Sequence, residues 1–325
     1  MLKEGGFWSS RLVLVCLTAV AFASCSCLRS LSAQSVPLVD HHQHLRDPIY
    51  KTPGEHGTIT ASDLIALLDA AGTKRAVVLS TAYGPVPGSP EAEYERVKDE
   101  NDWTAAQVRM FPDRLIAFCG INPMKDFAVA EVERCYSIPE LRYGIKMHFG
   151  NSDTDLDNPA KLAKLKTVFA AADRHHMAVA VHMRPSISHQ RQYGAREARV
   201  FLNQVLPKAS HVVVQIAHLA GPGGFDLQSD KALQVFIGAI KRDDPRMKRV
   251  YFDISGVAGV ADWRKHKDII VERIRQIGLD RILWGSDGAF GGGMTPQQAL
   301  AAFRELPLTD DETKRILSNV APYLR

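Results

Sequence analysis

The sequence is short of the features that mark several large protein classes. Its apolar run, Leu12 to Ala23, covers only twelve residues, while a membrane-spanning helix needs roughly 20. Charge is nearly balanced, with 40 Lys and Arg against 36 Asp and Glu, a net +4. Lys3, Arg11 and Arg29, offset by Glu4, supply half of that excess within the first 33 residues. So small a surplus excludes a strongly basic nucleic-acid binder, and no stripe of interleaved aromatic and basic residues offers a single strand a platform. Cysteine is scarce as well. Of five, Cys16, Cys25 and Cys27 precede residue 34, leaving Cys119 and Cys135 in the body. Neither a CxxC metal pair nor a disulfide framework follows from that spacing. Cys119 falls in an expected strand and Cys135 in the helix after it. Layers about 10 Å apart put most such pairs beyond disulfide reach, so two buried free thiols are expected. With no Pro-, Gly- or Ser-rich linker and no internal repeat, residues 34–325 read as one domain.

What is present begins with a targeting leader over residues 1–33. Lys3 and Arg11 flank the start of the apolar run, whose length suits a signal peptide. Cleavage after Ala33 would free Gln34 as a soluble N-terminus. Alternatively, Phe22-Ala23-Ser24-Cys25 resembles a lipoprotein box, with Cys25 lipidated. The expected location is therefore outside the cytoplasm, periplasmic or secreted, or lipid-anchored through Cys25. The mature chain is expected to carry no transmembrane span.

Eight short apolar or β-branched runs follow, each bounded by turn residues: Leu38–His44, Arg75–Ser80, Arg114–Ile121, Tyr143–His148, Met177–Met183, His211–His218, Arg249–Ser255 and Arg281–Ser286. These read as strands. Helical patterns fill the gaps between them, among them Thr60–Ala71, Pro90–Phe111, Lys125–Tyr136, Pro159–His176, Arg196–Leu206, Asp230–Arg242, Asp262–Ile277 and Thr295–Leu306. A last helix is expected over Asp310–Leu324. Eight alternating units predict a (β/α)8 TIM barrel, with a doubly wound open sheet as the alternative. Segments entering the strands are short (Gly72-Thr73-Lys74, Pro112-Asp113). Those leaving them are long and polar (Thr81–Ser89, Phe149–Asn158, Arg184–Gly194), which places the site at the carboxyl ends of the strands.

Polar residues collect at those same ends. The first strand closes on Asp40-His41-His42-Gln43-His44, and strand alternation puts Asp40, His42 and His44 on one face. Two imidazoles at i and i+2 can grip one metal ion. Strand five ends on His182, strand six on His218 and strand eight on Asp287. One such ending would be unremarkable, but three beside an HxH pair point to a shared metal site.

The segments VDHHQHL, FPDRL, GIKMH, VHM, AHLAG and LWGSD, with ILSNVAPYL near the end, resemble the amidohydrolase superfamily, specifically its amidohydrolase-related branch. The resemblance spans about residues 38–324. It implies His42, His44, His182 and Asp287 as ligands of one divalent metal, with His218 as catalytic partner. Three histidines and one carboxylate suit Zn²⁺, the expected ion, and equally Mn²⁺ or Fe²⁺. It also implies a metal-activated water attacking a carbonyl centre, Asp287 taking the water's proton. Lys146 could be carboxylated and bridge two metals, as in binuclear members. The preferred reading leaves it unmodified, paired with a carboxylate or an anionic substrate. His148 shares its face and is a candidate substrate contact. Arg184, two residues past His182, is a candidate for holding a substrate carboxylate. The remaining histidines read as structural or solvated, although His189 would lie near the site.

The expected activity is hydrolysis of a lactone, ester or amide in a small molecule, an anionic one being suited to Arg184 and Lys146. The phrase DHHQHL resembles the sugar-lactonase members. A nonoxidative decarboxylase on the same scaffold is the alternative, and an exported binding protein without catalysis the third reading. Oligomeric state is left open by the sequence.

Overall fold

The computed structural model describes residues 36–47, 59–84, 88–185, 191–260, 262–288 and 294–325. The leader, with Cys25 and Ala33, lies outside them, as do His56 and His189. Eight parallel strands pair in chain order: β1 Val39–Gln43, β2 Arg75–Leu79, β3 Leu115–Gly120, β4 Gly144–His148, β5 Ala178–His182, β6 Val214–Ile216, β7 Val250–Asp253 and β8 Ile282–Leu283. Helices alternate with them: α1 Ala61–Ala70, α2 Pro90–Arg109, α3 Ala128–Ser137, α4 Pro159–Arg174, α5 Ala195–Val200, α6 Leu227–Lys241, α7 Lys267–Ile277, α8 Pro296–Phe303 and α9 Asp310–Ser318. The result is a nearly closed (β/α)8 barrel. Bonds from His41 N to the Trp284 carbonyl (2.9 Å) and from Asp287 N to the His42 carbonyl (2.9 Å) tie β8 back to β1. Among the described residues, no helix is long and apolar enough to cross a membrane.

Alternation along each strand sorts the apolar residues into two layers. Val77, Leu79, Ile116, Phe118, Ala178 and Ala180 fill the barrel interior, with Tyr323 and Leu324 packed against them. Ala76, Val78, Ala117, Cys119, Val179 and Val181 face the helices. Strands buried on both faces explain why the runs read as continuously apolar. Gly144 is required on the inner face: a Cβ there would stand 2.6 Å from the Phe118 ring.

Several expected elements are shorter than their apolar runs, because DIS-like and HLAG-like strand ends turn into loops. The sixth strand keeps only Val214–Ile216, and its last residues form a tight turn over Ala217–Ala220. After α5 the chain widens into a π-turn at Phe201–Val205 before Pro207 ends it. The last helix stops at Ser318, short of Pro322.

The expectation of two free thiols is corrected. Cys119 and Cys135 form a disulfide, with Cα atoms 6.2 Å apart. Cys119 points outward from β3 and Cys135 lies on the buried face of α3. The 10 Å layer spacing is measured between axes, and side chains meeting at the contact point fall inside disulfide reach.

Closure of β8 on β1 depends on Gly285, where a Cβ would stand 2.8 Å from the Cβ of His42. Gly285→Ala should therefore lower stability by about 1–3 kcal/mol, as overpacking does. The urea unfolding midpoint measures this, and an unchanged midpoint would show that the closure has slack.

Candidate metal centre

At the carboxyl ends of the strands lies a cavity lined by His42 and His44 from β1, Lys146 and His148 from β4, His182 from β5, His218 after β6 and Asp287 after β8. All the expected site residues except Arg184 thus meet in one place. The ring nitrogens of His42 and His218 and a carboxylate oxygen of Asp287 lie within 4.8 Å of one another. Asp287 Oδ1 is 3.9 Å from His42 Nε2 and 3.7 Å from His44 Nε2. His182 stacks on His148, centroids 3.8 Å apart, and meets the His218 ring edge-on at 4.9 Å.

The ring orientations are set from outside the cavity. His42 Nδ1 lies 3.0 Å from Asp253 Oδ2, His218 Nδ1 lies 2.8 Å from the Ser255 carbonyl, and His44 Nδ1 lies 2.5 Å from the Leu79 carbonyl. A carboxylate or carbonyl can only accept, so each Nδ1 carries the proton and each Nε2 keeps its lone pair. Burial holds these rings neutral. It pushes His42 down to about 3, with the nearby Lys146 charge reinforcing the effect. His44, His182 and His218 are lowered by burial in the same way. Neutral imidazole is the form that binds a metal.

Asp253 is the residue that the sequence reading missed. Fully buried at the end of β7, it accepts five hydrogen bonds: from His42 Nδ1, Gln215 Nε2 (2.8 Å), His218 N (3.0 Å), Ser255 N (3.2 Å) and Ser255 Oγ (2.5 Å). Burial alone would raise its pKa, but the His42 and His218 rings and these bonds outweigh that and hold it well below the usual carboxylate range. The signal was present in VYFDIS, another strand ending on an aspartate. Tyr83, after β2, also lines the cavity and stacks on His148 at 5.4 Å.

Asp40 does not face the cavity. It closes the barrel beneath it, accepting from Ser286 N (3.0 Å), Ser286 Oγ (2.6 Å), His42 N (3.1 Å) and Gln43 Nε2 (2.8 Å). A register irregularity between Asp40 and Gln43 brings together side chains that strict alternation would separate. Burial raises Asp40 to about 6 despite those donors.

Lys146 is buried, with Nζ 3.2 Å from His42 Nε2. Burial lowers it to about 8, partly countered by Asp253 and Asp287. Arg184 lies elsewhere. The strand ends at His182, so alternation no longer governs residue 184. Its guanidinium pairs with Asp226 at 2.9 Å and covers the Tyr193 ring at 4.9 Å.

The residues present fit a divalent cation. Asp287 Oδ1 is buried without a hydrogen-bond partner, yet it sits among neutral imidazoles whose lone pairs point inward. Burial also raises the Asp287 pKa, Lys146 opposing the shift, so an unpaired anion here calls for a positive partner. Two of the residues lining the cavity, His218 at φ 56° and Asp287 at φ 53°, are held in the left-handed region, as are Leu219 and Ala220 after the first of them, an arrangement that costs energy and clusters at working sites.

Solved structures share this fold. A 2,6-dihydroxybenzoate decarboxylase from Rhizobium is 16% identical, with a TM-score of 0.60 over 86% of this chain and 96% of its own. A dihydroxybenzoic acid decarboxylase from Polaromonas with bound manganese and 2-nitroresorcinol is 14% identical, TM-score 0.59, over 87% and 95%. An Acinetobacter baumannii protein described as a probable 2-pyrone-4,6-dicarboxylic acid hydrolase, with citric acid bound, is 16% identical, TM-score 0.58, over 86% and 96%. No curated protein sequence gives a significant match. The Amidohydrolase family pattern matches residues 39–321. With nearly the whole barrel covered, the chain belongs to the amidohydrolase family, in its amidohydrolase-related TIM-barrel branch.

Proposed function

We propose that the chain is a metal-dependent hydrolase acting at a carbonyl centre, a lactone, ester or amide, of a small carboxylate-bearing substrate. The observation that carries this reading is the buried, unpartnered Asp287 Oδ1 beside His42 and His44. His42, His44, His182 and Asp287 would hold one ion, Zn²⁺ in our reading. Mn²⁺ and Fe²⁺ suit the same donors, and the manganese-bound neighbour keeps Mn²⁺ in view. Such an ion supplies Lewis acidity and lowers the pKa of water toward neutrality.

The chain's own residues divide the remaining work. Asp287, made more basic by burial, can accept a proton on the carboxylate oxygen not turned toward His42 and His44. His218, fixed through Nδ1, presents Nε2 to the cavity and can give or take a proton there. Lys146 is the only lysine or arginine lining the cavity among the described residues, so a substrate anion would be drawn to its side. Arg184, already paired, is not needed for that role. His148 and Tyr83 would form the adjoining wall.

Decarboxylation of a carboxylated ring is the second reading. It is favoured by two of the three neighbours, whose names are decarboxylases. For location, we propose export through the leader. The Cys119–Cys135 disulfide supports it, since such bonds persist mainly in oxidising compartments.

Two measurements test this reading. His218→Asn should retain its metal and lose about 10²- to 10⁴-fold in kcat, the scale of acid–base catalysis. Asp287→Asn should lose both rate and metal. If His218→Asn sheds its metal as readily as His42→Ala, His218 is a ligand. Separately, turnover of carboxylated lactones in ¹⁸O-water should place one ¹⁸O in the product, whereas carbon dioxide release from hydroxybenzoates would establish the decarboxylase.

A further inference from the structure

A column of hydrogen bonds runs along the barrel axis from its floor to the metal centre. Near the end of the sequence, Pro322–Leu324 form a short turn that caps the floor. Tyr323 rests edge-on against Phe118, centroids 5.0 Å apart, and its hydroxyl donates to Gln215 Oε1 at 2.6 Å. Gln215, buried on β6, donates through Nε2 to the His41 carbonyl (3.1 Å) and to Asp253 Oδ2 (2.8 Å). That same Oδ2 accepts from His42 Nδ1 at 3.0 Å.

The direction of every bond in this column is fixed. His41 O and Asp253 Oδ2 can only accept, so the amide nitrogen of Gln215 must face them. Flipping the amide would set its oxygen against two acceptors. The Gln215 oxygen is thereby committed to face the floor, where the Tyr323 hydroxyl is its donor. Removing that hydroxyl leaves a buried carbonyl unsatisfied, and the flip that could relieve it would place an acceptor against Asp253.

We propose that Tyr323 and Gln215 are positioning residues for the metal centre, acting through Asp253 to keep His42 in its Nδ1-protonated form with Nε2 aimed into the cavity. The inference rests on the metal reading for its consequence but not for its geometry. Neither residue touches the cavity, and neither is a catalytic residue. A hydroxyl on the floor of the barrel thus influences the ligand at its mouth, because two intermediate side chains each have a single satisfiable orientation.

The test has two readouts on the full chain. The first is Zn²⁺ affinity, measured by competition with a chromogenic chelator. Residues behind metal ligands typically contribute 10- to 100-fold in affinity, so Tyr323→Phe, three hydrogen bonds from His42, should weaken Zn²⁺ binding by up to about tenfold. Gln215→Met should weaken it too, and adding Tyr323→Phe to Gln215→Met should change nothing more. A merely structural contribution from Tyr323 would instead add to that of Gln215. The second readout is the ¹⁵N shift of His42 in the metal-free protein, assigned against His42→Gln. It should report a protonated Nδ1 in the wild type and a mixture of tautomers in Tyr323→Phe. Additive losses, or unchanged affinity with an unchanged tautomer, overturn the proposal. Should the wild type bind no Zn²⁺, the metal reading fails on its own. The tautomer shift then decides the proposal, a change supporting the positioning role and its absence overturning it.

Discussion

The site depends on one buried carboxylate. Asp253 is sealed from water at the end of β7, where an ionised side chain is costly unless its oxygens are fully engaged. Five donors engage them, and these come from Gln215, His218, Ser255 and His42. Strand one, the turn after strand six and the loop after strand seven are thereby pinned to a single point. Any change that left Asp253 short of a donor would release the charge into an apolar interior, so the surrounding geometry has little freedom to drift. The same carboxylate fixes which nitrogen of His42 carries the proton. Support of this kind behind a ligand commonly governs ring orientation and basicity.

Above that point the cavity is unevenly charged. Five imidazoles line it, all kept neutral by burial, alongside the buried Lys146 and the part-buried Asp287 carboxylate, whose Oδ1 is shut off from water. Asp253 and Asp40 lie beneath, with their oxygens already satisfied. A divalent ion would match the Asp287 carboxylate and the inward lone pairs around it. The left-handed backbone at His218 and Asp287 belongs to the same design. Tight turns straight off short strands bring both side chains over the barrel mouth, where extended backbone would carry them past it.

Much of this was legible in the sequence, because in a parallel barrel the end of each strand is also the edge of the site. A histidine closing an otherwise apolar run, as at His182 or His218, has no packing reason to be there. The HxH pair reads directly as two side chains on one face. Asp253 was harder to see. Its importance comes from partners at residues 42, 215 and 218, and no local pattern links them. Arg184 was misplaced because alternation was carried two residues past the end of β5, to a position where the guanidinium pairs with Asp226 instead. The disulfide was missed since an axis-to-axis spacing was applied to residues that face each other across the contact. Tyr323 sits beyond Pro322, in what reads as the tail of a helix, and only the folded barrel shows it reaching Gln215.

Metal content tests the account most directly. Full-length protein, purified without added chelator and analysed by inductively coupled plasma mass spectrometry, should carry one divalent transition-metal ion per chain. His42→Ala, folded by circular dichroism, should carry almost none. A wild-type protein that is active while free of metal, or a His42→Ala variant that keeps a full complement, would contradict the metal centre described here.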